Sequence, residues 1–309
     1  MRLPRLLGSH LSAAGGLVEA VARSQPAQCA ALQVFTRNQH QWRGRPLSAD
    51  EIAAWRQALR WRGWNDGRAR VISHASYLIN IASPSAEARS RSIRALREEL
   101  ERCEALGIGG AVLHPGAHLG QRPPERRQAL GAAPTTDEAA GIARAIDSLD
   151  AVHAALPGVR ARTLLETTVG AGTTLGGIFA HLSRIANGVR EPERIGFCID
   201  SCHVTAAGYD MSTDESAARV MEELVRVCGL ARVGAVHFND SVGACGSHRD
   251  RHAHIGEGTC GAACFRAILC AKGLADVPMI LETPKGGGLD GHEWDRRNLN
   301  LLRAMEQPA

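Results

Sequence analysis

The chain of 309 residues is 44% hydrophobic and 22% charged, an ordinary composition for a soluble globular protein able to bury a large core. No stretch approaches the roughly 20 apolar residues of a membrane span, and the mildly basic N-terminal segment, whose short apolar core contains His10, is not expected to be a signal peptide. A net charge of +4 is too small to demand a nucleic-acid partner, and nine cysteines, an odd number without framework spacing, exclude a disulfide scaffold and suit a cytoplasmic protein.

In chain order, short runs rich in Val, Ile and Leu predict eight strands. They are LLGSH (6–10), ALQVF (31–35), RVISH (70–74), AVLH (111–114), TLLE (163–166), IGFCID (195–200), GAVHF (234–238) and PMILE (278–282). The runs do not alternate apolar with polar, as expected of strands covered on both faces. Helical patterns separate them. In 85–106, Ser85 predicts an N-cap, Ile93, Leu96, Leu100, Cys103 and Leu106 recur at helical spacing, and Gly107 stops the helix. Residues 213–227 behave similarly.

Strands alternating with helices, with no linker or composition break, predict a single (β/α)8 TIM barrel spanning 1–309. An open doubly wound sheet is the alternative, lowered by the lack of a GxGxxG after the first strand. The Pro- and Arg-rich 120–136 predicts a long loop or lid, and GGGLD (286–290) a flexible turn. Cys260, Cys264 and Cys270 read as small core residues, and no second cysteine pair completes a zinc site with Cys198 and Cys202.

Six consecutive strands end on metal-ligand types: His74, His114, Glu166, Asp200 (with His203 just after), His237 and Glu282. The loop after the seventh strand adds Asp250 and His252. In a barrel these C-terminal ends share one mouth. A lone strand-end histidine is more often structural, and a lone carboxylate may cap the next helix. That reading predicts scatter over both strand ends, whereas the ligand types occupy one.

Imidazoles and carboxylates without thiolates suit Zn²⁺, and also Mn²⁺ or Fe²⁺. Bare carboxylates crowded at one mouth would repel one another. Nine ligands exceed what one ion uses, so two or three ions are expected, a combination suited to phosphodiester hydrolysis. His254 is the weaker member of its cluster, and His118 and His10 are expected to position neighbours.

Ordered blocks over nearly the whole chain carry a family resemblance: GSHLSAAGGL (8–17), VFTRNQHQW (34–42), SHASYLIN (73–80), LHPGAH (113–118), LLETTVGAGTTLG (164–176), CIDSCHVTAAGYD (198–210), VHFNDS (236–241), DRHAHIGEG (250–258) and MILETP (279–284). The chain resembles endonuclease IV, the trizinc apurinic/apyrimidinic endonucleases of base-excision repair. The resemblance implies three Zn²⁺, with Mn²⁺ an option at some sites. It implies a first ion on His74, His114 and Glu166, a second on Glu166, Asp200, His237 and Glu282, and a third on His203, Asp250 and His252.

The implied reaction is hydrolysis of the phosphodiester 5′ to an abasic site in double-stranded DNA, leaving a 3′-hydroxyl and a 5′-deoxyribose phosphate. Glu282 and Glu166 are the implied catalytic carboxylates, Glu166 bridging two ions and Glu282 orienting or deprotonating the nucleophile. The resemblance makes Tyr77 and Leu78 a wedge for the base stack, and Arg37, Asn38, Gln39, His40 and Arg251 DNA contacts. No obligate protein partner and a monomer are also implied.

Against the family pattern, His40 stands where Arg is frequent, Ala171 where a polar residue is common, and His248-Arg249 reverses the usual basic-apolar order. The alternative on the same barrel is a xylose-isomerase-like sugar isomerase using one or two divalent ions.

Overall fold

The computed structural model describes residues 5–121 and 131–306. Eight parallel strands close into a barrel: β1 (Leu7–His10), β2 (Ala31–Val34), β3 (Val71–His74), β4 (Gly110–Leu113), β5 (Arg162–Glu166), β6 (Ile195–Asp200), β7 (Val233–His237) and, after a small antiparallel pair β8 (Asp240–Ser241) and β9 (His252–Ala253), β10 (Met279–Leu281). The order around the barrel is β1-β10-β7-β6-β5-β4-β3-β2. All eight expected strands occur, each within two residues of its expected bounds.

The helices are α1 (Leu17–Ser24), α2 (Ala49–Trp61), α3 (Ala86–Leu106), α4 (Thr136–Ala154), α5 (Phe179–Gly188), the short α6 (Ser201–Ala207), α7 (Asp214–Val227), α8 (Ala262–Cys270) and α9 (Glu293–Met305). Local chemistry sets their ends. Ser85 accepts a hydrogen bond from the Ala88 amide at the start of α3, and Gly107 closes that helix in the left-handed region at φ 71°. Thr135 caps α4 through a capping box with Glu138, so the end of the expected 120–136 loop is a helix start; 122–130 lie outside the described residues.

Two apolar layers result. The larger lies between barrel and helices, and the smaller fills the barrel interior with Ala31, Ile72, Val112, Leu164, Cys198, Ala235 and Ile280. Closure is tight at Gly8, where a Cβ would stand 1.9 Å from the Ala31 carbonyl oxygen. The nine cysteines form no disulfide. Cys260 and Cys264 are buried as expected, but Cys270, at the end of α8, is exposed. Among the described residues no helix is long and apolar enough to cross a membrane.

Candidate metal centre

Strand side chains alternate between the two faces. Two residues beyond the barrel-filling positions 31, 72, 112, 164, 198, 235 and 280 stand Gln33, His74, His114, Glu166, Asp200, His237 and Glu282. These share the inward phase, one layer nearer the C-terminal mouth. The apolar plug therefore ends, and a polar layer begins, at one height on seven strands. His114 and Glu282 sit one residue past β4 and β10.

Among the described residues three groups of imidazole and carboxylate atoms result, each with all atoms within 4.8 Å of one another: His74, His114 and Glu166; Glu166, Asp200, His237 and Glu282; and Asp200, His203 and His252; the buried thiol of Cys198 forms a further such group with Glu166 and His237. Glu166 and Asp200 each belong to two of the three imidazole and carboxylate groups, so these adjoin. Asp250 stands beside the last, its Oδ1 3.3 Å from His203 Nε2 and 3.4 Å from His252 Nε2.

Neither His203 nor His252 ends a barrel strand. Asp200 caps α6 by accepting from the His203 amide at 2.8 Å, which turns His203 back over the mouth. His252 arrives on β9, in a loop organised by buried Asp240, which accepts hydrogen bonds from the amides of Gly256, Gly258 and Cys260.

The donor set suits divalent cations. The Nδ1 atoms of His74, His203 and His252 face carbonyl oxygens, of Ala75 at 2.7 Å, Thr167 at 2.8 Å and Glu282 at 3.3 Å. A carbonyl only accepts, so each Nδ1 carries the hydrogen and each neutral ring offers its Nε2 lone pair to the centre. His203 Nε2 and His252 Nε2 then face each other at 3.5 Å, two lone pairs that need a cation or a proton between them. Buried Glu166 Oε2 has no well-aligned hydrogen bond, although His114 Nε2 and His74 Nε2 lie 2.9 and 3.3 Å away. Carboxylate and imidazole donors around such atoms fit Zn²⁺ or a similar ion.

Without an ion the charges compensate one another. Burial alone would raise the Glu166 carboxyl, but His114 and His237 hold it well below its usual range. Glu282 is likewise held low, burial being outweighed by His237 and a hydrogen bond from His10. His203 is pushed well up against its burial by Asp200, Asp250 and Glu166. His237 is raised well above its ordinary value, burial being overcome by Cys198, Glu282 and Glu166. Hydrogen bonds from His203 and His252 hold Asp250 low.

Two neighbours of the ligands were not singled out from sequence. Gln33 is fully buried, and its amide bridges His237 and Glu282. Its one sequence signal is a polar side chain in an apolar strand, in phase with the ligands. Asn239 donates to Asp200 Oδ2 at 2.7 Å and accepts from the Glu282 amide at 2.8 Å. His10 contacts Glu282 Oε1 at 3.3 Å, in keeping with a positioning role. His254 leaves the cluster and stacks on Trp294 with ring centroids 3.8 Å apart. His118 is buried, accepts from the Gly120 amide and joins none of the three groups.

The rim residues divide. Tyr77 is 56% exposed and Leu78 37%, with the Tyr77 ring leaning on His74 at 4.9 Å, so exposure and rim packing coexist. Asn38, His40 and Arg251 are exposed and Gln39 partly so. Arg37 is a correction. Its guanidinium turns inward to donate to the Trp42 and Ala95 carbonyls, both at 2.9 Å, and lies 3.4 Å from buried Glu99. Glu99 needs a counter-charge in its apolar surroundings, and Arg37 supplies it instead of facing a phosphate. A cleft of about 940 Å³ runs from Glu282 and His252 past Tyr77 to Asn38 and Gln39. His248, at φ 53°, sets its Nδ1 2.7 Å from the Val169 carbonyl, two residues before Ala171 in the chain.

Residues 21–305 match the family described as a xylose isomerase-like TIM barrel. A probable endonuclease 4 of Geotalea daltonii is 42% identical over 97% of this chain and 97% of its own. Its counterpart in Geobacter sulfurreducens is 43% identical over 97% and 94%. The crystal structure of endonuclease IV from Thermus thermophilus superposes with a TM-score of 0.79 at 33% identity, covering 98% of each chain.

Proposed function

The chain belongs to the endonuclease IV family, and from that membership we propose a zinc-dependent DNA-repair endonuclease that hydrolyses the phosphodiester 5′ to an abasic site, leaving a 3′-hydroxyl and a 5′-deoxyribose phosphate. The observation that carries this reading is the convergence of nine ligand side chains in three adjoining groups. In this reading His74, His114 and Glu166 hold one ion, Glu166, Asp200, His237 and Glu282 a second, and His203, Asp250 and His252 a third. Divalent ions held there supply Lewis acidity toward the phosphate and a nucleophile near neutral pH.

The chain's own groups do the rest. Glu282, steadied by Gln33 and His10, orients the attacking water and takes its proton. Tyr77 and Leu78, exposed beside His74, wedge into the stack where a base is missing and extrusion costs least. Asn38 and Gln39, which line the cleft, contact the backbone and groove, with the exposed His40 and Arg251 as further contacts. The proposal includes a single-domain monomer working in the cytoplasm. A sugar-isomerase reading needs one or two ions and leaves the His203, Asp250 and His252 group without a task.

Purified protein is expected to place a single nick 5′ to one abasic analogue in a duplex. The same sample should contain about three zinc equivalents, one for each ligand group. No nick from fully metal-loaded protein overturns the assignment. Tyr77→Ala is expected to weaken binding to that duplex on the order of tenfold, within the ~1–3 kcal/mol that base stacking on an aromatic contributes. Zinc content should not change, and a fall in it would make Tyr77 a structural support of His74.

A further inference from the structure

Four of the ligand histidines are held in two different ways. His74, His203 and His252 place Nδ1 against main-chain carbonyls, which no side-chain substitution removes. His237 is oriented the other way round. Its Nδ1 faces the carboxylates, 2.9 Å from Glu166 Oε1, 3.3 Å from Glu282 Oε2 and 3.7 Å from Asp200 Oδ2. Its Nε2 meets a side chain, Gln33 Oε1, at 2.8 Å.

The hydrogen-bond pattern orients that amide. The Glu282 carboxylate beside it only accepts, so the Gln33 NH₂ faces Glu282 and the carbonyl oxygen faces His237. The same Gln33 nitrogen lies 2.8 Å from His10 Nδ1. His237 must then donate from Nε2, which leaves its Nδ1 lone pair aimed at the point shared by Glu166, Asp200 and Glu282. Gln33 is 0% exposed, so it touches none of the rim that would meet a substrate.

We propose that Gln33 is a positioning residue for the metal centre, fixing the tautomer of His237 and the carboxylate of Glu282 with one amide. Gln33 thereby sets the affinity of the ion held between Glu166, Asp200, His237 and Glu282. This inference rests on the metal-dependent reading above. An amide serves better here than its neighbours in size. A carboxylate would keep the acceptor for His237 but repel Glu282, and a thioether would offer neither bond.

The test uses metal-loaded wild type, Gln33→Met and Gln33→Glu. It measures bound zinc per chain, the rate of zinc release to excess chelator, and kcat and KM on an abasic duplex. Outer-shell partners of metal ligands typically contribute 10–100-fold in metal affinity. In Gln33→Met one ion should leave about 10–100-fold faster, with kcat reduced and KM unchanged. Gln33→Glu should fall between it and wild type. Release profiles matching wild type in both variants overturn the proposal. If Gln33→Met does not fold, Gln33→Glu, of the same size, carries the test, and wild-type release from it alone is then sufficient to overturn. Zinc release does not depend on DNA, so a wild type that holds metal but never cuts abasic DNA would refute the functional reading while the role of Gln33 is still measured.

Discussion

Replacing Glu282 by Gln is expected to abolish most cleavage of an abasic duplex while leaving DNA affinity nearly intact. The carboxylate lies in the group with Glu166, Asp200 and His237, and it is held low despite burial. It therefore enters the reaction ionised, as a base must. Gln keeps the volume and can keep a bond to His10, but it neither takes a proton nor carries charge. A positioned general base contributes about 10²–10⁴-fold, so kcat should fall by that factor. DNA affinity should change little, because Glu282 is 12% exposed at the floor of the cleft and the wedge and rim contacts remain. Single-turnover cleavage and a binding titration on one preparation, with its zinc content, separate the outcomes. Turnover near wild type refutes the base role. Loss of one zinc together with activity makes Glu282 chiefly a ligand.

Stripping the metal is expected to remove activity completely and to lower the melting temperature. An ion present at a thousand times its dissociation constant stabilises by about 4 kcal/mol. At roughly 2 °C per kcal/mol for a chain of this size, each such ion is worth about 8 °C. The carboxylate–imidazole contacts that form in its absence offset part of this loss. Those contacts give the stripped protein a distinctive pH response. His203 and His237 are raised well above their ordinary value in the folded chain. Their contribution is complete below the unfolded histidine value of ~6.5 and is lost as pH rises through the raised folded values. Glu166 and Glu282 are depressed, so their contribution is present above the unfolded glutamate value of ~4.3 and is lost as pH falls through the folded values. Metal-free protein should thus lose stability between neutral and alkaline pH, whereas zinc-loaded protein, whose histidines are already deprotonated by coordination, should not. Melting curves with and without chelator test this, and parallel pH profiles would show that the histidines do not carry the charge balance.

The sequence by itself determined the eight strands, the principal helix caps and the chemistry of the mouth. Each is a near-neighbour property. Apolar runs, a Ser or Thr N-cap and a glycine stop act within a few residues, and a strand's period of two carries its inward phase from Ile72 to His74 or from Leu164 to Glu166. Tertiary structure decided the rest. Gln33 joined the centre because the barrel sets β2 beside β1, and β1 next to β10, where Glu282 follows. Arg37, expected on DNA, turned inward because α3 presents a buried Glu99 that needs a counter-charge. Asp200 came to serve two groups because it both ends β6 and caps α6, while His254, two residues past His252, was drawn to Trp294 on α9. These outcomes depend on which strand or helix lies opposite. That is set by closure of the whole barrel across hundreds of residues, so local pattern placed the ligands at the mouth and long-range packing chose their partners.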